Sequence, residues 1–146
     1  MTAVASNSLM TAALVAASLI LFVTCFWSAW VLAGRRSAFG LAALGLGIGW
    51  FAEQMGSSRG WFFGRYSYTD VLGPALGNVL LVIPLMWFAL CWIGFSMASL
   101  ILWRQPSRVP AGWPARLLTA WLAAMVVTAF DLGADPYFVF VLKAWI

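Results

Sequence analysis

No charged side chain occurs before Arg35, and the stretch from Leu9 to Ala33 is almost wholly apolar. At about 1.5 Å per residue, such a stretch crosses the roughly 30 Å hydrocarbon core of a bilayer as one helix. A secretory signal would open on basic residues and carry a shorter apolar core, so this segment is expected to remain as an anchor. Further apolar runs follow at Ala38–Met55, Ala75–Trp103 and from Leu117 onward. Only 8% of the 146 residues are charged and 64% are hydrophobic, whereas a water-facing surface needs roughly 25% charged residues. A soluble domain, a disordered chain and a nucleic-acid binder are thereby excluded. The chain reads as an all-α polytopic transmembrane helix bundle, a single integral membrane domain over 1–146. Spans are expected at about 9–33, 38–55, 75–103 and 117–135.

The connecting segments refine this plan. Gly45 and Gly49 form a small-xxx-small face on the second run, which lets a neighbouring helix approach closely. Residues 56–73 (GSSRGWFFGRYSYTDVLG) are too polar to span and too aromatic for an ordinary linker, so an interfacial or re-entrant segment is expected. Asp70 suits a cap before the next helix. Pro84 predicts a kink in the third span. Asp135-Pro136 reads as a break, with Asp135 suited to an N-cap and Pro136 to the first turn of another segment. With the N-terminus on the non-cytoplasmic side, Arg35, Arg36, Arg104, Arg108 and Arg116 lie in cytoplasmic loops, against Arg59, Arg65 and Lys143 opposite. That bias favours an N-out orientation. Cys25 and Cys91 each sit in an apolar run and read as buried packing residues, not as a disulfide or metal framework.

The chemistry is narrowed by what the chain lacks and by where its few acids fall. There is no histidine, which removes the commonest metal ligand and general base. No metal site and no cofactor are expected. Ionisable groups at membrane depth cost roughly 2.5–3.5 kcal/mol each on insertion scales and are functional candidates by default. Glu53, Asp131 and Asp135 are such groups. Glu53 lies one helical turn after Gly49, which leaves room beside its carboxyl group for a ligand or a partner helix. Asp131 and Asp135 are four residues apart, hence on one face of a continuous helix. Two neighbouring carboxylates in a low dielectric cannot both ionise cheaply, so one of them would keep a proton to donate. The plainer readings are ion pairs of Glu53 or Asp131 with Arg59 or Arg65, and an interfacial belt for Trp61, Phe62, Phe63, Tyr66 and Tyr68. All three acids are expected at the same end as that aromatic segment.

Two stretches carry a resemblance. Glu53-Gln-Met-Gly-Ser-Ser-Arg-Gly-Trp-Phe-Phe-Gly-Arg-Tyr-Ser-Tyr-Thr-Asp, continuing to Leu72-Gly73 and Ile83-Pro84-Leu85-Met86-Trp87, resembles the bacterial carotenoid biosynthesis membrane family. That family includes carotenoid 1,2-hydratases of the CruF type and bisanhydrobacterioruberin hydratases. Its pattern runs roughly E-x-x-G-x-x-x-G-x-x-F-G-x-Y-x-Y-T, then a helix with I-P-L-x-W. Thr128-Ala-Phe-Asp-Leu-Gly-Ala-Asp-Pro136 is similar to its later T-A-W-D-L-x-x-D-P motif. The chain has Gly77-Asn78-Val79-Leu80 where G-V-P-L is usual, and Phe130 where Trp is usual. The family pattern continues beyond the D-P motif through further helices, so the resemblance implies a truncated or short homologue.

The resemblance implies addition of water across the terminal C1–C2 double bond of an acyclic, lycopene-like carotenoid, with no cofactor and no redox change. Protonation of the alkene gives a tertiary cation, which water captures. Glu53, Asp131 and Asp135 are then the candidate acid and base. Trp61, Phe63, Tyr66 and Tyr68 are candidates to face the cation, and Arg59 and Arg65 to hold a carboxylate ionised. Gly56, Gly60 and Gly64 would let backbone approach a flat polyene. The alternative class is a non-catalytic subunit that binds carotenoid or membrane lipid within a larger membrane complex, such as a photosynthetic one, or as a homo-oligomer. A small transporter is a third reading of the same acids.

Overall fold

The computed structural model describes residues 2–61, 64 and 66–145, with side chains for all of these except 2–7 and Asp70. Helix α1 (Thr2–Ala33) contains neither glycine nor proline and runs unbroken for 32 residues. It stops at Gly34, whose φ of 86° favours glycine. Helix α2 (Arg35–Arg59) begins at the next residue, so the two form a tight antiparallel pair. α2 ends in a left-handed Gly60, with Gly60 N–H donating to Gly56 O, an αL-type close, and Trp61 N–H donating to Met55 O.

The chain then folds across the end of the bundle through a short 3₁₀ turn at Asp70–Leu72 and a two-stranded hairpin, β1 (Ala75–Leu76) with β2 (Val79–Leu80). Asp70 is itself the first residue of this 3₁₀ turn and the next α-helix begins only at Val82, so the expectation of a cap directly before that helix is not met by the backbone. Gly77 (φ 67°) and Asn78 make the two-residue turn, a combination suited to positive φ. Helix α3 (Val82–Trp103) consequently starts seven residues later than the apolar run. Pro84 falls in its first turn, where no intrahelical N–H donor is required, so the expected cause of a kink is absent.

Helix α4 (Trp113–Pro136) passes through Asp135 without interruption. Pro136 has no amide to continue the ladder, and the chain widens into a π-helical turn at Tyr137–Val141, with Leu142 N–H donating to Tyr137 O at 3.0 Å. The expected break at 135–136 is therefore corrected. Asp135 makes no capping hydrogen bond and lies inside the helix.

Among the described residues, three stretches are long and apolar enough to cross a membrane: Ser8–Ala33, Val82–Trp103 and Trp113–Val141. α2 matches them in length, but its charges and glycines dilute its apolar character. α3 packs against each of the other helices. The small-residue face of α2 works as expected: a Cβ on Gly45 would stand 3.1 Å from Phe88 Cα, and one on Gly49 2.9 Å from Trp87 Cβ. α3 meets α4 as closely at Gly94, where a Cβ would lie 2.8 Å from Val127 Cγ2 and 2.9 Å from Ala123 O. Cys25 is buried between α1, α2 and α3 beside Ala29, Ala38 and Phe88. Cys91 is exposed on the outer face of α3, contrary to its expected burial.

Two ties define the ends of the bundle. Ser107 Oγ donates to Leu32 O at 3.1 Å, which places the α3–α4 loop beside the end of α1. Arg35, Arg36, Arg104, Arg108 and Arg116 thus share one end. At the other end Thr69 N–H donates to Ala144 O at 2.9 Å and Thr69 Oγ1 to Lys143 O at 2.7 Å. These bonds fold the C-terminal residues back over the segment that follows α2.

Candidate functional site

Glu53 occupies the last third of α2 and is only 7% exposed. Its depth follows from Gly49 one turn earlier, whose missing side chain lets the Trp87 ring lie between α2 and α3. Trp87 Nε1–H donates to Glu53 Oε1 at 2.7 Å. The segment after α2 returns from the left-handed Gly60 and Gly64 and brings two phenols to the other oxygen. Tyr68 donates to Glu53 Oε2 at 2.6 Å, and Tyr66 donates to the same atom. Gly56 makes this possible, since a Cβ there would stand 2.8 Å from the Tyr66 hydroxyl oxygen. Burial, reinforced by the Glu53 carboxylate alongside, pushes both phenols above the usual tyrosine range, so they stay protonated donors. A carboxylate offers about four acceptor positions, and the three described donors leave one without a partner among the described residues.

A cavity of about 200 Å³ adjoins this cluster. Its walls come from Glu53, Tyr66 and Tyr68, from Ile83, Met86, Trp87 and Leu90 of α3, and from Phe130, Asp131, Ala134 and Asp135 of α4. Phe138 and Trp145, whose rings stack at 5.2 Å, close the far side. Because α4 continues through Asp135, the two aspartates project to the same cavity one turn apart. Among the described residues neither aspartate accepts a hydrogen bond. Three carboxyl groups therefore share one otherwise mainly aromatic and aliphatic chamber. Phe130, half exposed on α4, stands at its edge. Most of the residues behind this arrangement fall in the two motif stretches.

The model of a family of carotenoid biosynthesis proteins matches residues 8–146. The chain belongs to that family. No curated protein and no solved structure matches it.

In this carotenoid biosynthesis protein the expected site residues divide into three groups. Glu53, Asp131, Asp135, Tyr66 and Tyr68 come together around the cavity. Arg59 and Trp61 do not line it: the Arg59 guanidinium sits 5.7 Å from the Trp61 ring centroid at the exposed end of α2. Phe62, Phe63 and Arg65 lie outside the described residues. Glu53 is held by neutral donors and not by Arg59, which corrects the ion-pair reading for that partner. The room beside Gly49 and Gly56 is filled by Trp87 and Tyr66, so these glycines serve side-chain contacts within the protein.

Trp87, Phe138 and Trp145 were not singled out from the sequence. Trp87 sits in the I-P-L-M-W stretch, and that motif is the signal that could have marked it. Trp145 reaches the site only because Tyr68 and Trp145 pair as an isolated antiparallel bridge, a contact that no local pattern announces. Among the described residues no group of three His, Cys, Asp or Glu side chains is placed to hold a metal ion.

Proposed function

We propose that this carotenoid biosynthesis protein adds water to the terminal C1–C2 double bond of an acyclic carotenoid. The observation that carries the reading is the convergence of Glu53, Asp131 and Asp135 on one small, mostly apolar cavity within a membrane-compatible bundle. A site that engulfs a whole drug-sized ligand usually measures roughly 300–1,000 Å³. One of about 200 Å³ suits the end of a long polyene whose remainder stays among lipid. Asp131 or Asp135, neither of which accepts a hydrogen bond from the described residues, delivers a proton to C2. The tertiary cation that forms at C1 faces the rings of Trp87, Phe130 and Phe138, each contributing about 0.5–2 kcal/mol when desolvated. Water bonds to C1 and passes its spare proton to Glu53, whose open acceptor position orients it. Return of that proton from Glu53 to the aspartate closes the cycle, and the sum is one water added across one double bond.

In this reading the protein lies in a bacterial inner membrane; the five arginines at one end support a cytoplasmic side there, with the carboxylate cavity near the opposite face. The test is expression of the chain in a lycopene-accumulating bacterium, with carotenoids analysed by chromatography and mass spectrometry. A more polar product heavier by one water is expected. Unchanged lycopene in the presence of well-inserted protein refutes the reading and favours a carotenoid- or lipid-binding subunit, which would co-purify with its pigment or partners.

A further inference from the structure

Hydration needs water where the substrate needs none. A cavity walled by α3, α4 and aromatic rings is poorly placed to draw water from the hydrocarbon side. A second cavity, of about 360 Å³, lies against the first at the end of the bundle. Its lining is polar: Ser57, Ser67, Thr69 and Asn78 contribute hydroxyl and amide groups, and Ser67 and Asn78 are exposed. Each water needs only roughly 10–15 Å³ of such space and two to four polar partners, and this cavity offers both. Tyr66 and Tyr68 line both cavities. Their rings meet edge to face at 5.4 Å and form the partition. Each phenol directs its O–H to Glu53 and keeps lone pairs able to accept from water on the polar side.

We propose that the polar cavity is the water-binding antechamber of the carotenoid site, and that the Tyr66–Tyr68 partition passes single waters from it to the open acceptor position of Glu53. This rests on the hydratase reading and adds its water source. Tyr66 and Tyr68 are here positioning residues, and the cation's fate reports on them. A cation at C1 that meets no water loses a proton instead, from C2 to regenerate the substrate or from a C1 methyl group to leave an isomeric, unhydrated alkene.

The test uses the full chain in native membranes, with Cys25→Ala and Cys91→Ala as background. Ser57→Cys should react with a membrane-impermeant maleimide, as should the exposed Ser58→Cys control. Adding Ala75→Trp, which plugs the cavity from its exposed rim, should slow labelling at position 57 and spare position 58. In the carotenoid assay, Ala75→Trp should lower the alcohol about tenfold, equivalent to roughly 1.4 kcal/mol on water capture, while the ratio of isomeric alkene to alcohol rises. Loss of alcohol and isomer together, from protein whose Ser58→Cys control still labels at the normal rate, would mean that the plug stops protonation and not water capture, and would overturn the assignment. An unreactive Ser57→Cys beside a reactive Ser58→Cys overturns it as well. If the wild-type chain yields alcohol and Ala75→Trp yields as much, the antechamber is refuted and the hydratase reading stands. If the wild-type chain yields none, the hydratase reading fails and the water role falls with it.

Discussion

Tyr68→Phe isolates one of the three hydrogen bonds that fix Glu53. The substitution removes only the hydroxyl, so the ring keeps its edge contacts with Tyr66 at 5.4 Å and Trp145 at 5.9 Å. What is lost is a 2.6 Å bond to a carboxylate on a side chain that is 7% exposed. Hydrogen bonds to charged groups contribute about 1.5–3 kcal/mol net, while polar bonds between membrane helices average nearer 0.6 kcal/mol. Glu53 keeps its bonds to Tyr66 and Trp87, so the destabilisation expected is about 1.5 kcal/mol, the low end of the first range. In a Glu53→Gln background the argument reverses. The amide has one acceptor oxygen facing three donors, and removing the Tyr68 hydroxyl then relieves an unpaired donor, so the same change costs about zero. The coupling energy expected is therefore about 1.5 kcal/mol, read from unfolding of wild type, both single variants and the double variant in detergent. Additivity within about 0.3 kcal/mol would refute the view that the Tyr68–Glu53 bond organises this site.

Other consequences follow from the same geometry. Asp131→Asn and Asp135→Asn should each lower hydrated product, the proton donor by about 10²–10⁴-fold; normal yield from the double variant would remove the aspartates from the chemistry. Gly94→Ala should destabilise by about 1–3 kcal/mol, because its Cβ meets Val127 and a backbone carbonyl. Gly47→Ala meets nothing within 4 Å and should stabilise by about 0.5–1 kcal/mol through helix propensity; equal effects in thermal melts would contradict the packing described. The phenols of Tyr66 and Tyr68 lie above their unfolded range, so the native state holds their protons where the unfolded chain releases them. Their stabilising contribution is complete below about pH 10 and declines as pH rises past it. Tyrosinate absorbance at about pH 11 should accordingly be lower for the native protein than for the unfolded chain, and Tyr68→Phe should flatten the alkaline loss of stability.

Membrane residence and helical class were legible because each is a local property. Backbone groups in lipid must be satisfied within their own segment, so a long uncharged run such as Leu9–Ala33 has little choice of structure. The glycine spacing at 45 and 49 foretold a close helix contact, and the four-residue spacing of Asp131 and Asp135 foretold a shared face. Boundaries were less legible. The apolar run from Ala75 hides a hairpin, because Gly77 and Asn78 permit a tight turn that hydrophobicity does not register. Asp135-Pro136 carries every sign of a helix stop, yet packing on α3 keeps the chain helical and diverts it into a π-helical turn.

Which acids exist, and that each is costly at membrane depth, was fixed by residue type and position along the chain. Their partners were decided by the tertiary structure. Arg59 is nearer to Glu53 in sequence than any of its actual donors, but two tyrosines and a tryptophan on other elements reach the carboxylate instead. The reason is distance through space: Gly49 and Gly56 leave gaps on α2 that only an approaching helix and a returning loop can fill. The composition of the chain dictated a helical membrane protein, and the close approach of α2, α3, α4 and the returning loop brought three isolated carboxyl groups to one cavity.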